Sequence, residues 1–103
     1  MMNIKKMMQQ AQKMQKDIER VQKELKEKTV ESSIGSSTVK ITANGQKELL
    51  SISIHEEVVD PKEIEVLEDL LMVALNDVLQ KAEDLSSKEL GKVSKGLNFP
   101  GLF

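Results

Sequence analysis

The chain has no cysteine, no tryptophan and no tyrosine, one histidine, and two phenylalanines confined to its last five residues. Without cysteine there is no disulfide framework and no thiolate chemistry. With a lone histidine, His55, and no cysteine beside it, the usual zinc ligand sets cannot be assembled. Without aromatic side chains before Phe99 there is no stacking platform for single-stranded nucleic acid. Glycine is scattered over turns and the C-terminal region, so no phosphate-cradling loop is present. No apolar run approaches the ~18 residues of a membrane span, and lysine and glutamine break up the start of the chain where a secretory signal would carry its apolar core. These absences predict a cytoplasmic protein with no membrane partner, cofactor, metal or small-molecule substrate.

What is present begins with a long heptad stretch. Ile4, Ala11, Ile18 and Leu25 fall seven apart, and Met7, Met14 and Val21 follow three residues behind them. Sustained over more than three heptads, this a/d pattern predicts a helix from Ile4 to Lys28. Gln, Lys, Glu, Met and Ala fill the segment, and all favour helix. Twenty-five helical residues span about 37 Å. Such an element must project beyond the core that 103 residues can build. Its charge is lopsided. Lys5, Lys6, Lys13 and Lys16 precede any acid, whereas Asp17, Glu19, Glu24 and Glu27 later mix with Arg20, Lys23, Lys26 and Lys28. With Ile4 at a, the first four lysines take the outer b, c and f positions. They could form a solvated coiled-coil face or a basic tip for a polyanion. The net charge of −2 conceals this division, because residues 1–28 carry eight basic and four acidic side chains and the remainder seven and thirteen.

After Lys28 the period changes from seven to two. Thr29 to Ile34 is β-rich, Gly35-Ser36-Ser37 reads as a turn, and Val39, Ile41 and Ala43 alternate with polar residues. Asn44-Gly45 signals a two-residue hairpin. The next strand, about Glu48 to His55, places Leu50, Ile52 and Ile54 on one face. Asp60, Pro61 and Glu63 supply cap, first-turn proline and capping box for a helix from Pro61 to about Leu85. Its apolar set is too broad for one sheet contact. Leu67, Leu70, Leu71 and Ala74, with Leu50 and Ile52 of the third strand, are therefore expected at a homodimer interface. Packing against the chain's own first helix is the ordinary alternative. Ser86-Ser87 reads as a break before a short third helix, roughly Ser87 to Lys95, and a loop-like tail from Gly96.

The expected fold is α+β: a long N-terminal helix, a three-stranded antiparallel sheet, a long helix and a short C-terminal helix in one domain. Residues 1–28 form the arm, 29–85 the sheet and second helix, and 86–103 the short helix and tail. No catalytic constellation is found. Glu56, Glu57 and Asp60 near His55 read as a solvated acidic loop, and Ser51 and Ser53 sit in a plain strand without a nucleophile elbow. The chain reads as a non-enzyme.

The run Met7-Met8-Gln9-Gln10-Ala11-Gln12-Lys13-Met14-Gln15, the strand and turn Val39-Lys40-Ile41-Thr42-Ala43-Asn44-Gly45, Leu67-Glu68-Asp69-Leu70, and Ala74-Leu75-Asn76-Asp77 together resemble the YbaB/EbfC family of bacterial nucleoid-associated proteins along nearly the whole chain. The resemblance implies a tweezer-shaped dimer whose helical arms bind duplex DNA with little sequence preference, affecting DNA conformation and gene expression. Lys5, Lys6, Lys13, Lys16, Arg20 and Lys23 are then the expected DNA contacts. The acidic run from Glu56 to Asp69 would repel a duplex on that side. The alternative is a protein-interaction module whose heptad arm pairs with a partner helix.

Overall fold

The computed structural model describes residues 3–97. The elements run α1 (Ile4–Glu27), β1 (Thr29–Ile34), β2 (Val39–Asn44), β3 (Leu49–Ile54), a short 3-10 turn (Glu56–Val58) and α2 (Ile64–Leu97). This is the expected α+β order. The strands form one antiparallel meander in the order β1-β2-β3.

Burial on the sheet follows the period-two pattern. Val39, Ile41 and Ala43 of β2 are fully buried with Ala74 and Val78 of α2, flanked by Val30, Ile34, Leu67, Leu70, Leu71 and Leu75. The inward position between Val30 and Ile34 is held by Ser32, which explains why β1 looks weakly patterned. Its buried hydroxyl donates to Asp77 Oδ2 of α2 at 2.7 Å. A buried hydroxyl without that partner would be costly.

A second cluster lies away from the sheet. Val21 and Leu25 of α1 pack with Val93 of α2, joined by Met14, Ile18, Leu85 and Leu90. These contacts correct the expected break at Ser86-Ser87. Two serines cost a helix only a few tenths of a kcal/mol each relative to its best formers, whereas Leu85, Leu90 and Val93 continue the apolar spacing and bury against α1. The helix therefore runs on through both serines and through Gly96 to Leu97. The part of the expected tail from Asn98 onward lies outside the described residues.

Three boundaries also differ from expectation. Asp60 Oδ1 accepts from Lys62 N at 2.9 Å, and Glu63 N bonds to Asp60 O at 2.9 Å. Asp60-Pro61 therefore closes a separate turn, and α2 starts at Ile64. At the second hairpin the left-handed residue is Lys47, with φ 64°, while Lys47 N bonds to Asn44 O at 3.1 Å. This is a three-residue loop with a type I turn rather than a two-residue one. In β3, Leu49 pairs with Ala43 and Ser51 with Thr42, leaving Leu50 as a bulge.

Gly45 matters here for the room it leaves. Its N–H donates to Leu25 O at 2.8 Å and Lys28 O at 3.1 Å, adding to the weaker 3.3 Å bond that Leu25 O accepts from Lys28 N at the end of α1. A Cβ at Gly45 would sit 2.6 Å from Leu25 Cδ2 and 2.9 Å from Leu25 O. The leucine tip can turn aside, but the backbone oxygen cannot. Gly45→Ala should thus lower stability by roughly 1–3 kcal/mol, the usual cost of overpacking. A urea unfolding midpoint equal to that of the parent would contradict this.

Candidate nucleic-acid interface

The arm is long, and only its base is covered. The molecule measures 72 × 23 × 17 Å with a radius of gyration of 19.7 Å, against about 13 Å for a compact chain of this length. Along α1 the seam passes from buried Leu25 and Val21, through half-buried Ile18 and Met14, to exposed Ala11, Met8, Met7 and Ile4. Asn3 caps the free end, its Oδ1 accepting from Lys6 N at 3.2 Å. No acidic residue follows in the first turn. The positive end of the helix dipole and the ammonium groups of Lys5 and Lys6 therefore reinforce one another, an arrangement that favours an anion.

Lys5, Lys6, Lys13, Lys16 and Lys23 are all exposed, and among the described residues none is within ion-pair distance of a carboxylate. Arg20 differs. Its guanidinium lies 3.9 Å from Asp17 and 3.3 Å from Glu24. Both acids are on its own helix at neighbouring-turn spacing, so it adds little free positive charge to the surface. Four cations of the body pair with acids of α2, whereas Lys40, Lys62 and Lys88 are exposed and, among the described residues, unpaired. Lys28 and Lys92 both reach Glu89 at 3.3 Å, Lys81 reaches Asp77 at 3.1 Å, and Lys47 pairs with Glu83.

Sequence reasoning missed these body pairs, because Lys47–Glu83 and Lys28–Glu89 join elements far apart in the chain. Each holds a carboxyl below its ordinary range. For Asp77 the main cause is the Ser32 hydroxyl, then Lys81; for Glu83 it is Lys47; for Glu89 it is the bond from Lys92. A carboxyl whose folded pKa is depressed contributes stability above its unfolded value and loses it as pH falls through the folded one. The melting temperature should therefore hold at neutral pH and decline below about pH 4.5, where unfolded carboxyls begin to protonate. Asp77→Asn, which keeps an oxygen for Ser32, should flatten part of that decline in a pH series of thermal melts.

The residues expected at a dimer interface separate into two groups. Ala74 is fully buried beneath the sheet of its own chain, and Leu67, Leu70 and Leu71 are partly buried around it. They serve the chain's own core first, and Ala74 has no surface left for a partner. Leu50 and Ile52 are 53% and 51% exposed. The geometry explains why. Ile52 and Ile54 pair with Ile41 and Val39, so they share the face that α2 covers. The helix lies mainly across β1 and β2, and every residue of β3 is exposed. Leu49 on β3, and Val66, Met72 and Val73 on α2, are exposed apolar side chains as well. Exposed apolar surface of that extent on a small chain points to interaction.

His55 Nδ1 accepts from Glu57 N at 3.2 Å and so caps the 3-10 turn. Among the described residues no three His, Asp or Glu side chains could share one metal ion, and no helix is long and apolar enough to cross a membrane.

The match to known proteins covers both arm and body. The model of the YbaB/EbfC DNA-binding family matches residues 1–97. The chain belongs to that family. A nucleoid-associated protein of Alkaliphilus metalliredigens is 50% identical over 101 residues, covering 98% of this chain and 89% of the relative. One of Pelotomaculum thermopropionicum is 48% identical, covering 98% and 96%. The crystal structure of an uncharacterized protein from Helicobacter pylori shares the fold, with a TM-score of 0.78 at 24% identity over 89% of this chain and 96% of that one.

Proposed function

We propose that this YbaB/EbfC family member is a nucleoid-associated protein of the bacterial cytoplasm that binds duplex DNA as a homodimer, gripping phosphates with the lysines of its two α1 tips. DNA conformation, nucleoid organisation and gene expression are the processes it would affect, and no catalytic step belongs to this reading. Family membership and the names of the relatives support the DNA-binding role. The observation that carries the mechanism is clustering: Lys5, Lys6, Lys13 and Lys16 stand exposed and unpaired on one projecting helix with no acid before Asp17, whereas Lys28, Lys47, Lys81 and Lys92 pair with acids of α2 and the unpaired Lys40, Lys62 and Lys88 are scattered over the body. Lysine contacts to phosphate fix position and read no bases, so sequence preference should be small. The uncovered surface of β3 and α2 supports pairing of two chains through the body, leaving both arms free.

The test is the salt dependence of binding. If about four to six lysines displace counterions, log K should fall against log salt with a slope of about −4 to −5. Anisotropy titrations on duplexes of different sequence should give the same slope. A flat response would remove phosphate contact from the mechanism and leave a helix-pairing module as the better account.

A further inference from the structure

Among the described residues nothing closes the seam on the outer half of α1. At about 100° per residue, Ile4, Met7, Met8 and Ala11 fall within a sector of about 100°, and Lys5, Lys6, Lys13 and Lys16 lie on the far side of the helix. A duplex held by the lysines therefore leaves the apolar sector turned away from it. Ile4, Met7 and Met8 are 70%, 48% and 59% exposed, whereas from Met14 inward the seam packs against α2. Lys13, Asp17 and Val21 line one groove with Glu89, Lys92 and Val93, so the last turns of α2 lie opposite the middle of α1. The helix ends at Leu97, and the open stretch beyond it is about 15 Å long.

The residues beside the seam say what fits it. In a heptad the e and g positions decide which helices can lie side by side. With Ile4 at a, these positions on the outer half are Met8, Gln10 and Gln15, and none is charged. An acidic or basic partner helix gains no ion pair there. A second identical arm meets no like charge across the seam, and it brings its own matching row of methionines, whose flexible side chains adapt to one another. The direction of approach is also fixed. A helix lying along the seam from the base of the arm would collide with α2, which already covers that face. It can enter only from beyond the tip, which sets two identical arms antiparallel with their lysines turned outward on opposite sides.

We propose that the outer halves of α1 from two dimers pair seam to seam in antiparallel, and so join two duplexes, one held by the lysines of each outward face. The pairing rests on the arm alone, whereas the joining of duplexes rests on the DNA-binding reading above. About ten residues a side fall short of the roughly 1,000 Å² that a stable interface buries, and the lysines of the two arms repel one another. Free dimers therefore stay apart. On DNA, phosphates neutralise those lysines and neighbouring dimers are held at high effective concentration. Arm pairing and duplex binding thus reinforce each other.

The test exploits the absence of native cysteine. Met7→Cys and Met8→Cys are made separately in the full chain, with Gln9→Cys on the lysine side as control. Oxidation is carried out without DNA at about 1 M salt, where the screening length falls to about 3 Å and the lysines no longer keep the arms apart. In sedimentation, at least one of the two seam variants should form a species of twice the mass of its reduced form or more, and the control should not. An unchanged mass would overturn the pairing, because it leaves the seams apart or joins only the arms of one dimer. So would equal cross-linking of the control. The second arm of the test is capture of a labelled duplex by a bead-bound duplex. The variant Ile4→Gln, Met7→Gln, Met8→Gln should bind a single duplex within about twofold of the parent, since its phosphate contacts are unchanged. Its capture of the second duplex should fall at least about tenfold, because the link between dimers is lost. Undiminished capture would overturn the bridge. If the parent fails to bind even one duplex, the DNA-binding reading and the bridge both fall, while the mass of the oxidised protein still decides the pairing.

Discussion

Replacing Lys5, Lys6, Lys13 and Lys16 together by glutamate should weaken duplex binding by at least about 100-fold at 0.1 M salt, since each lost phosphate contact removes close to one unit of salt slope. The same variant should melt no lower than the parent. The four side chains are exposed on outer heptad positions, and a carboxylate in the first turn of a helix is worth about 0.3–1 kcal/mol where a lysine is unfavourable. Binding and stability should thus move in opposite directions, which separates loss of contact from loss of fold. Lys40 and Lys62 are exposed on the body, and their reversal controls for overall charge. Near-parental affinity in the arm variant, or equal losses in the body variant, would take the arm out of the mechanism.

Ile52→Asp should turn the proposed dimer into a monomer at micromolar concentration. Within one chain the substitution is mild, because half of the Ile52 surface already meets water. At a two-fold interface the charge is introduced twice, and burying an unpaired carboxylate costs several kcal/mol. Sedimentation should show the smaller species, and duplex affinity should drop with it, since a single arm loses the gain from simultaneous engagement of two. A dimer that survives Ile52→Asp would move the interface off β3.

The fold was legible wherever pattern was local. The heptads of α1 and the alternation of β2 are written in single segments, and both elements stand where the spacing puts them. The continuity of α2 was not legible, because Ser86-Ser87 looks like a break within its own segment, although Leu90 and Val93 could be expected to cover the base of the α1 seam, as they do. Ser32 and Asp77 likewise make sense only as a pair. The lysine cluster at the arm tip could be read directly from composition. The neutralisation of Arg20 was also open to reading, since Asp17 and Glu24 stand at neighbouring-turn spacing, and the mixed charge of that region obscured it. Ala74 was assigned outward because it belongs to a broad apolar set, and breadth alone does not say which part of a helix meets the sheet.

The uninterrupted course of α2 has a mechanical consequence. One helix of 34 residues, about 51 Å long, takes part in both hydrophobic clusters and so braces the arm against the sheet without a joint between them. A load applied at the tip is carried into the body as into a beam, and in the proposed dimer the span between two such tips would be set by the scaffold. A duplex seated across them, as proposed, would not be met by closing jaws. On the proposed mode of binding, a misfit of shape would then be borne by the DNA, for which a bend of 40–90° over 20–30 base pairs costs about 1–6 kcal/mol, and the protein would act on it as a rigid former.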